Sequence, residues 1–183
     1  LQMYATQKVY KNLGLDSEVI KFNQEVDKDP FIIRIKVFIM YLLSLRTNLK
    51  VAFLKKSREN NFKKHAKKHI SESNQYINPL KIDAKFHENY SFFSVGSDQI
   101  WGWFNYSIAD FVFLKFAPTE KRIAFSPSFG SATIANQYAE LFTQGLRGFT
   151  DISVREASGA EIVKKLTNKE ASVLCDPTMC LSK

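Results

Sequence analysis

At 183 residues, with 45% hydrophobic and 14% aromatic side chains, the chain is long enough to bury a sizeable core and holds one domain, or one domain with an appendage. Seven Gly and five Pro exclude a low-complexity or collagen-like chain, and two Cys exclude a disulfide scaffold and fit a reducing cytoplasm. The formal charge of +8 raises nucleic acid or membrane as a partner, but much of the excess crowds into Lys50 to Lys68, a pattern that reads as one solvated helix face.

Leu1, Tyr4, Ala5, Lys8, Val9 and Leu13 recur at helical spacing and Gly14 supplies a C-cap, so a helix is expected over Leu1 to Leu13. Ser17 to Phe22 reads as a short strand. A chain that opens on a well-formed amphipathic helix is expected to lack the strand before it and to be a fragment. Phe31 to Leu45 is the most apolar stretch, but it is shorter than the ~20 residues of a spanning helix and carries Arg34 and Lys36. A buried or surface-seated amphipathic helix is expected there, continuing in a basic helical pattern to about Ile70 with a break around Arg46 to Lys50.

His65 and His69 share one helix face, without the third ligand a metal site would need. Ser71 to Asn89 is polar and reads as a loop. Phe92 to Val95 is a short apolar run ending at Gly96, as expected of a parallel strand covered on both faces. Phe111 to Phe116 fits a helical turn or a short strand.

Lys121 to Phe125 is a second buried strand, and Thr133 to Leu146 a helix with Ile134, Tyr138, Leu141 and Phe142 inward. Asp151 to Val154, Ser158 to Leu166 and Ala171 to Leu174 continue as strand, helix and strand. Cys175, in an apolar run, reads as a small core residue. This alternation predicts the α/β class, with a doubly wound, mostly parallel sheet.

In such sheets ligands sit beyond the carboxyl ends of the strands. Three ends carry polar signatures: Gly96-Ser97-Asp98-Gln99-Ile100-Trp101, Ser126-Pro127-Ser128-Phe129-Gly130, and Ser153-Val154-Arg155-Glu156-Ala157-Ser158-Gly159. Asp176-Pro177-Thr178 closes the series. Taken singly, each has a plain structural reading: Asp98 as a cap, Trp101 as a lock on its loop, Arg155 and Glu156 as an ion pair at a helix start.

In this order and spacing the four signatures, with Leu1-Gln2-Met3-Tyr4-Ala5-Thr6-Gln7 and Leu13-Gly14 before them, resemble the polysaccharide pyruvyl transferase family. The resemblance covers nearly the whole chain. It implies the Rossmann-like N-terminal half of a GT-B-type two-domain enzyme over residues 1–183, with a basic helical insertion at about 30–70. The first strand with its asparagine- and glycine-rich loop, and the C-terminal domain, would be absent. Three positions depart from the family's pattern: Gly102 replaces an asparagine, Pro127 a small residue, and Ala157 an aspartate.

The resemblance further implies transfer of pyruvate from phosphoenolpyruvate to sugar hydroxyls as a ketal, in cell-surface or exopolysaccharide synthesis, with no cofactor beyond that donor. Asp98 and Arg155 are then the expected catalytic residues, Arg155 as a bidentate contact to phosphate or carboxylate. Ser97, Gln99, Ser126, Ser128 and Glu156 are expected at the substrates, with Trp101 stacking on a sugar ring. The acceptor would be a glycan or lipid-linked saccharide, met in the cytoplasm or at the inner face of the membrane, where the basic segment would touch anionic lipid; no nucleic acid is expected. Two alternatives stand beside this reading: a GT-B-like nucleotide-sugar glycosyltransferase, and a basic module for a membrane surface or nucleic acid.

Overall fold

The computed structural model describes residues 1–22, 57, 58, 60, 61, 64–102 and 106–181. Helix α1 spans Gln2–Asn12. Its end is set by Gly14, whose φ of 78° lies in the left-handed region. The Gly14 and Leu15 amides donate back to the Lys11 and Tyr10 carbonyls at 3.0 and 2.9 Å, closing a Schellman motif that redirects the chain into β1 (Val19–Phe22).

β1 pairs in parallel with β2 (Glu72–Ile77). The loop expected from Ser71 to Asn89 is therefore corrected: its first part is a strand, and a 3-10 turn covers Phe86–Asn89. β2 carries no apolar alternation because only Ser73 of its first five residues is buried; its hydroxyl accepts the Lys21 amide at 2.9 Å.

The larger sheet holds β3 (Phe93–Gly96), β4 (Arg122–Phe125), β5 (Asp151–Val154) and β6 (Ser172–Val173) in that order, every pairing parallel. Between them run α2 (Ala109–Val112), α3 (Ala139–Arg147) and α4 (Ala157–Thr167). Two all-parallel sheets joined through helices make the Rossmann-like α/β arrangement that the alternation predicts. The helix expected from Thr133 starts later, because Ala135 is extended at φ −61° and ψ 138°. It is preceded by a 3-10 turn at Asn136–Tyr138. α4 ends at Asn168, left-handed at φ 61°, a conformation Asn tolerates better than most residues.

The core lies between the larger sheet and its helices. Phe93, Val95, Ala124, Ile152 and Val154 supply the sheet side, and Val112, Phe142, Leu146, Ile162 and Val163 the helices. Gly145 lets α3 close on this core, since a Cβ there would lie 2.3 Å from the Phe113 ring. β3 is not covered on both faces as expected: Phe93 and Val95 are buried, whereas Ser94 and Gly96 are exposed. Its outer face meets α1 through the Tyr10 hydroxyl, 2.5 Å from Ser94 Oγ.

Of the basic segment, residues 64–69 are helical, and Lys64, His65, Lys67, Lys68 and His69 are exposed. The two imidazoles lie beside the Tyr4 ring, with centroids 6.2 and 5.8 Å from it. The expected apolar helix at Phe31 to Leu45 and the break at Arg46 to Lys50 lie outside the described residues. Among the described residues no helix is long and apolar enough to cross a membrane.

Candidate functional site

The polar signatures all emerge at the carboxyl end of the larger sheet, and backbone hydrogen bonds tie their loops together. β3 stops at Gly96 because it presses on β4: a Cβ there would sit 1.9 Å from the Phe125 carbonyl oxygen. Only glycine fits that approach. The next residue, Ser97, takes φ 71°, and Ser126 at the end of β4 takes φ 55°. Left-handed backbone at two non-glycine residues costs of order 1–2 kcal/mol each and survives only where surroundings enforce it.

The surroundings here are specific. The Ser128 amide donates to the Asp98 carbonyl at 2.9 Å, and the Trp101 amide to the Ser128 carbonyl at 3.2 Å. The Arg155 amide donates to the Pro127 carbonyl at 3.1 Å, so adjacent residues of the β4 loop hold both Asp98 and Arg155. The loop bearing the serines is thus the hinge of the site.

The expected site residues divide into exposed and buried sets. Asp98 is exposed; its Oδ1 accepts the Gln99 amide at 2.7 Å, and Oδ2 has no partner among the described residues. Gln99 is also exposed, with its side chain against Gly130, where a Cβ would come within 3.2 Å of it. Ser97 is buried, and its hydroxyl is without a hydrogen-bond partner among the described residues.

Three expectations are corrected by burial. Trp101 is fully enclosed by Phe113, Phe129 and Phe149, at ring-centroid distances of 6.1, 5.1 and 5.7 Å, so it locks the loop and offers no face to a sugar. Ser126 is fully buried, its hydroxyl donating to the Leu174 and Cys175 carbonyls at 3.2 and 3.1 Å. Ser128 is buried as well, its hydroxyl accepting the Gly130 amide at 3.0 Å. The hydroxyls of these two serines are taken up by the backbone of neighbouring loops. Cys175, expected in the core, is exposed.

Arg155 lies at the end of β5 with its side chain 24% exposed. Nε donates to Glu156 Oε1 at 2.9 Å and Nη1 to Asp176 Oδ2 at 3.0 Å. The ion pair at the helix start is therefore real, and among the described residues Nη2 is the guanidinium nitrogen left over. The Glu156 bond, set against partial burial and joined by Asp176, raises the Arg155 pKa.

Asp176, expected as the close of the series of strand-end signatures, does more than cap its turn: it also binds Arg155. Partial burial pushes its carboxyl up, but hydrogen bonds from the Thr178 amide, Gln2, the Thr178 hydroxyl and Arg155 outweigh that and bring it down to about 2. The Gln2 amide nitrogen reaches Asp176 Oδ2 at 2.9 Å, which brings the start of α1 to the same cluster. Oδ1 caps Pro177–Cys180 through Thr178, as the Asp-Pro-Thr run leads one to expect, whereas no local signal ties Gln2 to this carboxylate.

Two departures from the expected motifs have a local meaning. A Cβ on Gly102 would lie 2.8 Å from the Phe129 carbonyl oxygen, so the asparagine expected there would not fit this loop. Ala157 is exposed on the first turn of α4. Among the described residues no group of three or more His, Cys, Asp or Glu is placed to hold a metal ion.

No curated protein and no solved structure matches the chain. The family model described as polysaccharide pyruvyl transferase matches residues 1–183, from the first residue to the last. The chain, with its four tied strand ends on a parallel sheet, belongs to the polysaccharide pyruvyl transferase family.

Proposed function

We propose that the chain forms one lip of an active site that transfers pyruvate from phosphoenolpyruvate to two hydroxyls of a glycan or lipid-linked saccharide. The observation that carries this reading is the pairing of an exposed carboxylate, Asp98, with a fixed guanidinium, Arg155, through adjacent residues of one loop. The donor bears a phosphate and a carboxylate, and Arg155 Nη2 is available to either anion. Holding Nε and Nη1 on two carboxylates sets the guanidinium plane before a ligand arrives, which limits the entropy lost on binding.

In the reaction the methylene carbon of the donor gains a proton and a sugar oxygen bonds to its C2. The C2–O bond to phosphate then breaks, and the second hydroxyl closes the ketal. Of the two hydroxyl protons, one balances the new methyl group and the other leaves with phosphate. Asp98 is placed to take a hydroxyl proton or orient the hydroxyl, with Gln99 beside it as a hydrogen-bonding partner for sugar or phosphate. Glu156 positions Arg155. A second α/β half, facing these strand ends in the GT-B manner, would supply the remaining anion contacts. The exposed Lys64, Lys67 and Lys68 suit a seat near anionic lipid in the cytoplasm.

The test is acceptor-dependent phosphate release from phosphoenolpyruvate, with the ketal carbon followed by carbon NMR. Asp98→Asn and Arg155→Ala should each lower the rate at least about 100-fold. Wild-type rates in both variants would remove these residues from the site. Thermal stabilisation by a nucleotide sugar but not by phosphoenolpyruvate would favour a glycosyltransferase.

A further inference from the structure

Trp101, the ring expected on a sugar, is enclosed, so a saccharide at this site needs another aromatic surface. The described residues hold one. Tyr106 opens the 3-10 turn Tyr106–Ile108 before α2, and it stacks on Tyr138, which closes the 3-10 turn Asn136–Tyr138 before α3. The ring centroids lie 3.9 Å apart at an interplanar angle of 19°. Most aromatic pairs sit roughly 4.5–7 Å apart, offset or edge to face, so these two rings overlap more than usual.

The path of the chain puts the pair at the rim of the site. The amide of Thr150, just after α3, donates to the carbonyl of Arg122, the first residue of β4, at 3.0 Å. α3 therefore ends at the amino end of the larger sheet and starts at its carboxyl end, where Tyr138 is the N-cap. Tyr106 follows the Gly96 to Trp101 loop out of that same end. The side chain of Gln99, next to Asp98, packs against Gly130, from which the chain runs on to Tyr138.

From the inside outward the order is core, Tyr138, Tyr106. Tyr138 packs against the core cluster, whereas Tyr106 keeps 37% of its surface exposed. The two hydroxyls are hydrogen-bonded to each other, and burial, followed by Tyr138, raises the Tyr106 pKa, so its phenol stays protonated at neutral pH. The outcome is an apolar ring with a hydrogen-bonding edge, which suits an amphipathic ligand. A pyranose is such a ligand: its C–H groups pack on aromatic carbon while its hydroxyls engage phenolic oxygens. The charged residues nearest to each ring in the chain are acids, Asp110 (paired with Lys115 at 2.9 Å) and Glu140. They favour a neutral ligand over an anionic one, which leaves the anions of the donor to Arg155.

We propose that the Tyr106–Tyr138 pair is a subsite for one neutral pyranose ring of the acceptor saccharide. That the ligand is an acceptor rests on the pyruvyl transfer reading; that it is a neutral pyranose rests on the pair itself.

Two measurements separate these claims. With isotope-labelled tyrosine, the methyl glycosides of glucose, galactose and mannose are titrated into the chain by NMR. At least one should shift the ring signals of Tyr106 and Tyr138. Tyr106→Leu, which keeps apolar bulk without a ring, should weaken that binding about 10-fold, read at Tyr138, and Tyr106→Phe should weaken it less. In phosphate release from phosphoenolpyruvate, Tyr106→Leu should raise the acceptor KM by a similar factor and leave kcat and the donor KM near wild type. Ring shifts without any phosphate release would support the subsite and count against pyruvyl transfer. No shift with any of the three glycosides would overturn the subsite, and this wild-type titration decides even where a variant fails to fold. So would shifts with uridine diphosphate alone, unchanged saccharide binding in Tyr106→Leu, or a raised donor KM in place of the acceptor's.

Discussion

Arg155 Nη1 and Asp176 Oδ2 lie 3.0 Å apart, between the chain leaving β5 and the chain leaving β6. The pair is braced on both sides. Glu156 holds the guanidinium at Nε, and Gln2 and Thr178 hold the carboxylate. A single pair thereby joins the start of α1, the end of β5 and the turn after β6.

Asp176 should make the fold acid-sensitive. Its carboxyl is at about 2 in the fold, below the ordinary 3.8, so its contribution is present above the unfolded value and is lost as pH falls through about 2. Asp176→Asn should lose on the order of 1 kcal/mol at pH 7, and the gap to wild type should close between pH 4 and 2. Urea midpoints across that range measure it. A gap unchanged with pH would show that the carboxylate charge is not what stabilises.

Asp98 separates chemistry from folding. It is exposed, and among the described residues its side chain receives a single hydrogen bond, from the next residue's amide. Asp98→Asn should therefore stay within about 0.5 kcal/mol of wild type in urea unfolding while activity falls. Equal losses in stability and activity would point to a structural role.

Trp101 should behave as a core residue. Trp101→Ala should cost about 3–5 kcal/mol, the range for removing a buried large aromatic ring, and Trp101→Phe should cost less. In Trp101→Phe the acceptor KM should be unchanged. A raised KM with unchanged stability would restore the ring to the sugar site.

Ser97 carries backbone strain that glycine would relieve. At φ 71° a Cβ is unfavourable, so Ser97→Gly should exceed Ser97→Ala in stability by about 1 kcal/mol. If Ser97→Gly is the more stable but less active variant, the strain serves the loop's shape at the site. Equal stability of the two variants would mean the surrounding loop relaxes freely.

The sequence by itself determined the class, the succession of strands in the larger sheet with the helices α3 and α4, and the order of the four strand-end signatures, because each rests on local properties. Periodicity set the core faces of α3 and α4, Gly14 set the end of α1, and Gly96 marked the end of β3. Glu72–Ile77 escaped notice because a mostly exposed strand needs no apolar alternation, only a neighbour's backbone. Tertiary structure alone decided which polar residues face solvent. Ser126 and Ser128 resemble Asp98 as strand-end polar groups, yet carbonyls and amides of neighbouring loops consume their hydroxyls. Trp101 is drawn into the core by three Phe from distant segments. The Gln2, Asp176 and Arg155 cluster spans nearly the whole chain, and only the closing of the sheet brings its charges within hydrogen-bonding distance.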